Sequence, residues 1–257
     1  AGGGDPSQSG YQPLRSSTAT LSDRPLLEIP QNVAVVPNQV LKDQQVRTLD
    51  EALYNVSGVT QANTLGGTQD AFIRRGFGDN RDGSILRDGL RTALPRSFDA
   101  TTDRVEVLKG PASVLYGILD PGGMINVVSK MPSFVRANSI ELSGTTINGK
   151  NGSGAKIDLT GPIEGTGFAY RLVAAHSGED YWRSFGRNRS DVFAPSFTWR
   201  GDTTTVTLGY EYSAYTAPFD RGTIFDPRTG RAVRVPSDRR FDERYNVTRG
   251  ESHLATA

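Results

Sequence analysis

Between residues 139 and 215 the chain alternates polar and apolar side chains at almost every step. Residues 139–148, 155–163, 168–177, 191–200 and 203–215 are each roughly ten residues of this pattern, the length of a tilted strand that crosses a bilayer. A period of two puts successive side chains on opposite faces of a strand. In the last segment Val206, Leu208, Tyr210 and Tyr212 share one face, and Thr205, Thr207, Gly209 and Glu211 share the other. Likewise Lys156, Asp158 and Thr160 oppose Ile157 and Leu159. One face is apolar and the other wet. The joints sort as well, since 164–167 and 201–202 are tight whereas 178–190 and 216–245 are long. A membrane-spanning β-barrel has short turns at one end and long loops at the other. The first joint, 149–153, is also short, and on period alone a soluble sandwich or a solvated antiparallel sheet stays open.

Composition removes other classes. Lys and Arg number 29 against 28 Asp and Glu, a formal net charge of +1, so no nucleic-acid partner is expected. The cysteine count of zero excludes a disulfide scaffold, a thiolate zinc site and a cysteine nucleophile. No apolar run approaches the ~18–20 residues of a spanning helix, a test that barrel strands escape because alternation averages away. The chain contains no G-x-x-x-x-G-K-[ST], G-x-S-x-G or H-E-x-x-H, and His176 and His253 stand too far apart for a local metal motif. No catalytic residue, metal ligand set or enzyme activity is expected.

Residues 1–25 are rich in Gly, Ser, Thr and Pro and read as a flexible N-terminal arm. The first ten residues hold no apolar stretch of the signal-peptide kind and read as a mature or trimmed end. Residues 26–135 mix short apolar runs with helical patterns. Val46, Leu49, Leu53 and Val56 recur at helical spacing, Thr48 and Glu51 suit a capping box, and Gly58 follows. A second short helix is predicted from Pro111 to Gly117. Residues 136–257 hold the alternating strands, with a sixth beginning near Asn246.

Six motifs stand in order within residues 28–130. They are Glu28-Ile-Pro-Gln-Asn-Val33, Thr48-Leu-Asp-Glu-Ala-Leu53 with Ser57-Gly-Val59, Phe72-Ile-Arg-Arg-Gly-Phe77, Leu86-Arg-Asp-Gly-Leu90, the run from Asp103 through Lys109-Gly-Pro to Gly117, and Pro121-Gly-Gly-Met-Ile-Asn-Val-Val-Ser-Lys130. Together they resemble the plug of the TonB-dependent outer-membrane siderophore receptors, of the ferrichrome and ferrioxamine type. Arg15-Ser-Ser-Thr-Ala-Thr20 resembles the segment leading into that plug. The resemblance implies an α+β plug domain followed by antiparallel β strands of a 22-stranded transmembrane β-barrel, of which this chain holds the first five to six. It implies a monomer of the bacterial outer membrane, in contact with lipid and lipopolysaccharide, that takes up a ferric siderophore with energy from TonB. Iron would arrive chelated in a hydroxamate, so the protein needs no cofactor. The short apolar TonB box is not found in residues 1–25. Haem or cobalamin as cargo, and a soluble α/β domain joined to a β-sandwich, are the alternatives; His176 is the candidate haem contact.

The resemblance also implies roles. Arg75 and Lys109 match basic positions that pair with carboxylates on the inner barrel wall. Siderophore contacts fall on the apical loops at Arg81, Asp82, Arg96 and Ser97, the last two replacing aromatics of the ferrichrome pattern. Parity along the fifth strand puts Tyr215 on the face of Thr205, Thr207, Gly209 and Glu211, so it is expected to point inward as a barrel-side contact, unless a bulge near Ser213 flips it. The fifth loop carries seven arginines, among them Arg221, Arg239 and Arg240, against five acids, suited to lipopolysaccharide phosphates or to gathering an anionic complex.

Overall fold

The computed structural model describes residues 10–22, 24–62, 64, 70–78, 84–91, 98–117, 119–220, 222 and 224–257. Its first part is built on a four-stranded mixed sheet. Among the described residues, strands β1 (Arg15–Ser16) and β2 (Arg24–Pro25) pair only with each other. They are followed by β3 (Asn32–Val36), helices α1 (Asn38–Asp43) and α2 (Leu49–Leu53), and the small pair β4 (Val59–Gln61) and β5 (Phe72–Arg74). Next come β6 (Ile85–Arg87), α3 (Phe98–Thr101), β7 (Thr102–Lys109), α4 (Ser113–Tyr116) and β8 (Met124–Ser129). The order across the sheet is β3-β7-β8-β6, with β6 parallel to β8 and the other pairs antiparallel.

The helical signal at 46–56 is realised as a shorter helix than its periodicity suggests. Val46, Leu49, Leu53 and Val56 are all buried, in one cluster with Val36, Phe72, Val105, Val107 and Ile125. At the start of α2, Thr48 Oγ1 accepts from Glu51 N at 3.3 Å. The Glu51 carboxylate reaches back one residue further than the box requires, to Arg47 N at 2.7 Å. A second cluster under the sheet joins Leu86, Leu108 and Met124 to Ala19 and Ile29. The expectation of a free arm over residues 1–25 is therefore corrected for its second half: Ser16, Thr18 and Ala19 are buried, although their composition is polar, because partners elsewhere in the plug satisfy them.

The second part is a six-stranded antiparallel meander: β9 (Ala137–Ile147), β10 (Lys150–Pro162), β11 (Phe168–Asp180), β12 (Arg187–Arg200), β13 (Thr205–Pro218) and β14 (Val247–Thr256). Each strand pairs with the next in sequence, leaving β9 and β14 as open edges. Several strands run beyond the expected ten residues, so the third joint shrinks from 178–190 to 181–186. The first joint is the two residues Asn148 and Gly149, at φ 50° and 75°. Such positive φ values at both corners are what a two-residue hairpin turn requires, and Asn-Gly supplies them at least strain. The alternation falls as read. Ile157, Val206, Leu208 and Tyr210 are exposed on the outward face with Ile140, Leu142, Phe193, Phe197 and Trp199, while Asp158, Thr160, Thr198, Glu211 and Ser213 are buried on the inward one. Among the described residues no helix is long and apolar enough to cross a membrane.

Candidate functional site

The plug rests on the polar face of the wall, and the contacts are made chiefly by charge. Arg87, the last residue of β6, lies against β13, where its guanidinium meets the Glu211 carboxylate end-on: Nη1 to Oε1 at 2.7 Å and Nη2 to Oε2 at 2.6 Å. Both side chains are nearly out of water, at 6% and 9% exposure. A bidentate fork of this kind is the strongest form of the pair, and Arg is the residue whose planar donors fit it. Two further donors are also used, Nε on Ser129 Oγ at 2.8 Å and Nη2 on Thr101 Oγ1 at 3.1 Å.

A second centre is Asp158 of β10. Arg171 of β11 grips it through two bonds of 2.8 and 2.7 Å, and Lys130, the residue after β8, lies 3.0 Å from the same carboxylate. Lys130 Nζ also donates to Ala100 O at 2.8 Å. Burial pushes the Lys130 ammonium below the ordinary lysine range in spite of that neighbour. Nearer the far end of β11, Glu179 takes a more exposed hydrogen bond from Arg47. The apolar part of the junction is small: Ala100 lies against Val173 and Val192. Arg87, Thr101, Ser129 and Lys130 also line, with Arg171 and Glu211, a cleft of about 220 Å³ between plug and wall.

Arg75 and Lys109, expected to pair with carboxylates of the inner barrel wall, make other contacts here, where six strands of that wall are present. Arg75 is exposed at φ 50° in the turn after β5, its backbone N–H donating to Gly58 O at 2.7 Å. Its neighbour Arg74 is the buried one, directed at Asp120 across 3.8 Å. Lys109 donates to Ser57 Oγ at 3.0 Å, a bond inside the plug. Neither meets a carboxylate of the six strands. The signal for the Arg87 contact lay on the wall, where parity turns Glu211 inward between Gly209 and Ser213. Its partner could not be read from local pattern.

Arg81, Asp82, Arg96 and Ser97 lie outside the described residues, as does Arg221. Tyr215 faces inward with Glu211 and Ser213, because the β12–β13 and β13–β14 registers run without a shift and no bulge flips the parity. Its ring lies across Gly250 on β14, where a Cβ would overlap it. His176 faces outward, its Nδ1 2.7 Å from Asp191 Oδ1, and His253 faces outward beside Tyr210 and Tyr212. Arg240 of the fifth loop is buried, bonding Phe219 O, Asn246 O and Asp242, so part of that loop's charge is internal structure. Among the described residues no cluster of three metal-ligating side chains occurs.

The model of the TonB-dependent receptor plug domain family matches residues 25–124. Over 218 residues the chain is 36% identical to the metal-pseudopaline receptor CntO of Pseudomonas aeruginosa (strain UCBPP-PA14), covering 84% of this chain and 30% of that receptor. It is 32% identical over 208 residues to the ferrioxamine receptor of Yersinia enterocolitica, covering 78% and 29%. The crystal structure of the siderophore receptor PiuA from Acinetobacter baumannii superposes with a TM-score of 0.82 at 27% identity, over 96% of this chain and 36% of that one. The chain thus spans about a third of the length of the receptors it matches. With a plug docked by charge on the polar face of an outwardly apolar wall, it belongs to the TonB-dependent receptors of the Gram-negative outer membrane, carrying the plug and the six wall strands that follow it.

Proposed function

We propose that the receptor takes up a ferric hydroxamate siderophore across the outer membrane with energy from TonB. The observation that carries this reading is the Arg87–Glu211 pair, which seats a folded plug on the inner wall through bonds that water can replace. A plug held by apolar packing would expose that surface on moving, whereas separated ions are rehydrated. In this reading the siderophore lands on the apical loops, with Arg81, Asp82, Arg96 and Ser97 among its contacts and Tyr215 meeting it from the wall. A phenol offers a weakly charged hydroxamate complex apolar area and one donor without competing for the metal. TonB then draws on the N-terminal arm and the plug shifts to open a path. Iron is cargo throughout, so the protein supplies no ligand to it. Hydroxamate cargo is supported by the Yersinia enterocolitica relative, a ferrioxamine receptor. Haem is disfavoured because both histidines face away from the lumen.

The test is uptake of radioactive iron as ferrioxamine B or ferrichrome by cells that lack their own hydroxamate receptors and carry the full-length gene. Accumulation that disappears when TonB is deleted is the expected result. Accumulation independent of TonB would overturn the energy source, and growth on haem but on neither hydroxamate would overturn the cargo.

A further inference from the structure

The short strand β1 enters no backbone ladder with the plug sheet; among described residues it pairs only with β2. It is held instead by side chains of the two central strands. Glu106 of β7, 0% exposed, accepts from Ser16 Oγ and from Thr18 N at 3.1 Å, and its other oxygen accepts from Arg104 Nε at 2.6 Å. Asn126 of β8, also buried, donates to Thr18 Oγ1 at 2.9 Å, while Tyr116 donates to Thr18 O at 2.6 Å. Ser16 and Thr18 are 0% and 1% exposed, so this clasp is sealed from water.

Asn126 has a second bond. Its Oδ1 accepts from Gly89 N at 2.9 Å, and Gly89 lies in the turn that follows Arg87. The same turn is pinned by Ser129 N on Asp88 Oδ1 at 2.8 Å. From Thr18 to the wall there are therefore two hydrogen bonds, one tight turn and the Arg87–Glu211 fork. Hydrogen bonds are directional, so displacing Thr18 along the chain misaligns Asn126 before the sheet's own ladders are strained.

We propose that residues 15–18 are the handle through which a pull on the N-terminus reaches the plug–wall pair, with Asn126 as the coupling residue between Thr18 and the Arg87 turn. This rests on the reading that TonB draws on the N-terminal arm. Glu106 seats the handle, and Asn126 passes its displacement to the turn that aims Arg87 at Glu211. A polar route suits the task because each of its bonds re-forms when the pull ends.

The full-length receptor, reconstituted in a bilayer and drawn from its N-terminus by atomic force microscopy, tests this without TonB or siderophore. Its failure is therefore separable from failure of the uptake reading. In the wild type, Glu211→Gln should weaken one rupture peak. Asn126→Ala should abolish that peak's sensitivity to Glu211→Gln, so that the two changes are not additive. Thr18→Val, which removes the hydroxyl but keeps the shape, should act like Asn126→Ala, and Thr18→Ser, which keeps the hydroxyl, should preserve the wild-type trace. Additive effects of Asn126→Ala and Glu211→Gln, or a Thr18→Val trace equal to wild type, would overturn the coupling.

Discussion

The plug and the wall bury opposite kinds of residue. In the plug the interior is Val36, Leu49, Phe72, Val105, Val107 and Ile125, packed as in any water-soluble domain. In the wall the buried residues are chiefly polar, Asp158, Thr160, Thr198, Glu211 and Ser213, with Ala169, Val173 and Val192 as the buried apolar exceptions, while large apolar ones such as Leu142, Phe197 and Leu208 face outward. The wall therefore has no core of its own, and lipid on one side and the plug on the other must complete it. Because both surfaces at the junction are polar, the seal between them is made of ion pairs and hydrogen bonds rather than buried apolar area. That difference makes the junction a contact that water can replace.

The largest effect is expected from breaking the seal on one side only. Glu211→Ala leaves Arg87 buried without its carboxylate and should weaken plug docking by about 3–5 kcal/mol. Replacing both partners, as Arg87→Met with Glu211→Leu, should restore most of it, since a well-packed apolar pair is often as stable as a buried ion pair. Thermal unfolding of the full-length receptor measures both, and a Glu211→Ala midpoint equal to wild type would show that this charge pair is not what joins the regions.

Next comes the wall's inverted pattern. Leu208→Arg should cost about 2–4 kcal/mol in a denaturant titration of the full-length receptor in bilayers, as expected for an arginine placed in lipid. Thr207→Arg, one residue away on the lumen side, should cost less. Equal penalties would mean that the two faces are not lipid and lumen. A smaller effect is expected at the top of the same strand, where Tyr215→Ala should weaken ferrioxamine B affinity by about 1–3 kcal/mol, the range for one aromatic side chain. Loss of folding together with affinity would instead make its packing over Gly250 its whole role.

The same contrast decides what could be read from sequence. Wall parity was legible because each inward or outward assignment depends only on neighbours two apart, and Asp158 and Leu208 fall where alternation puts them. Strand ends were not, because β11 and β12 continue past the apolar band as a polar ladder that looks like loop, through Glu179–Asn188 and Asp180–Arg187 pairings. In the plug, Thr48 announced α2, but α1 is six residues long with no side-chain cap, too short to show a helical period. Within the candidate site, Glu211 was placed correctly by parity, yet its partner Arg87 is 124 residues away and no local rule points to it. Residues 15–18 looked too polar to dock, because their burial depends on Glu106 and Asn126 far along the chain.

The smallest expected effect concerns the loops above the wall, which bury polar groups as the wall does but outside the membrane. Tyr181 donates to Asp220 Oδ2 at 2.9 Å, Arg183 Nη1 lies 3.2 Å from Oδ1 of the same carboxylate, and Ser184 N donates to Asp238 O at 2.6 Å, so residues 181–186 and the long loop after β13 are tied together. Burial first, and then the bond to Asp220, push the Tyr181 phenol up to about 12. A folded-state value above the ordinary tyrosine value of about 10 means that the bond contributes fully below pH 10 and is lost as pH rises through about 12. Because Tyr181 is only half-buried, solvent screening keeps that contribution small. An ultraviolet titration of the full-length receptor minus that of Tyr181→Phe isolates this phenol. Its tyrosinate transition should centre near 12, and one centred near 10 would show that Tyr181 does not hold the loops, leaving Arg183 as the link to Asp220.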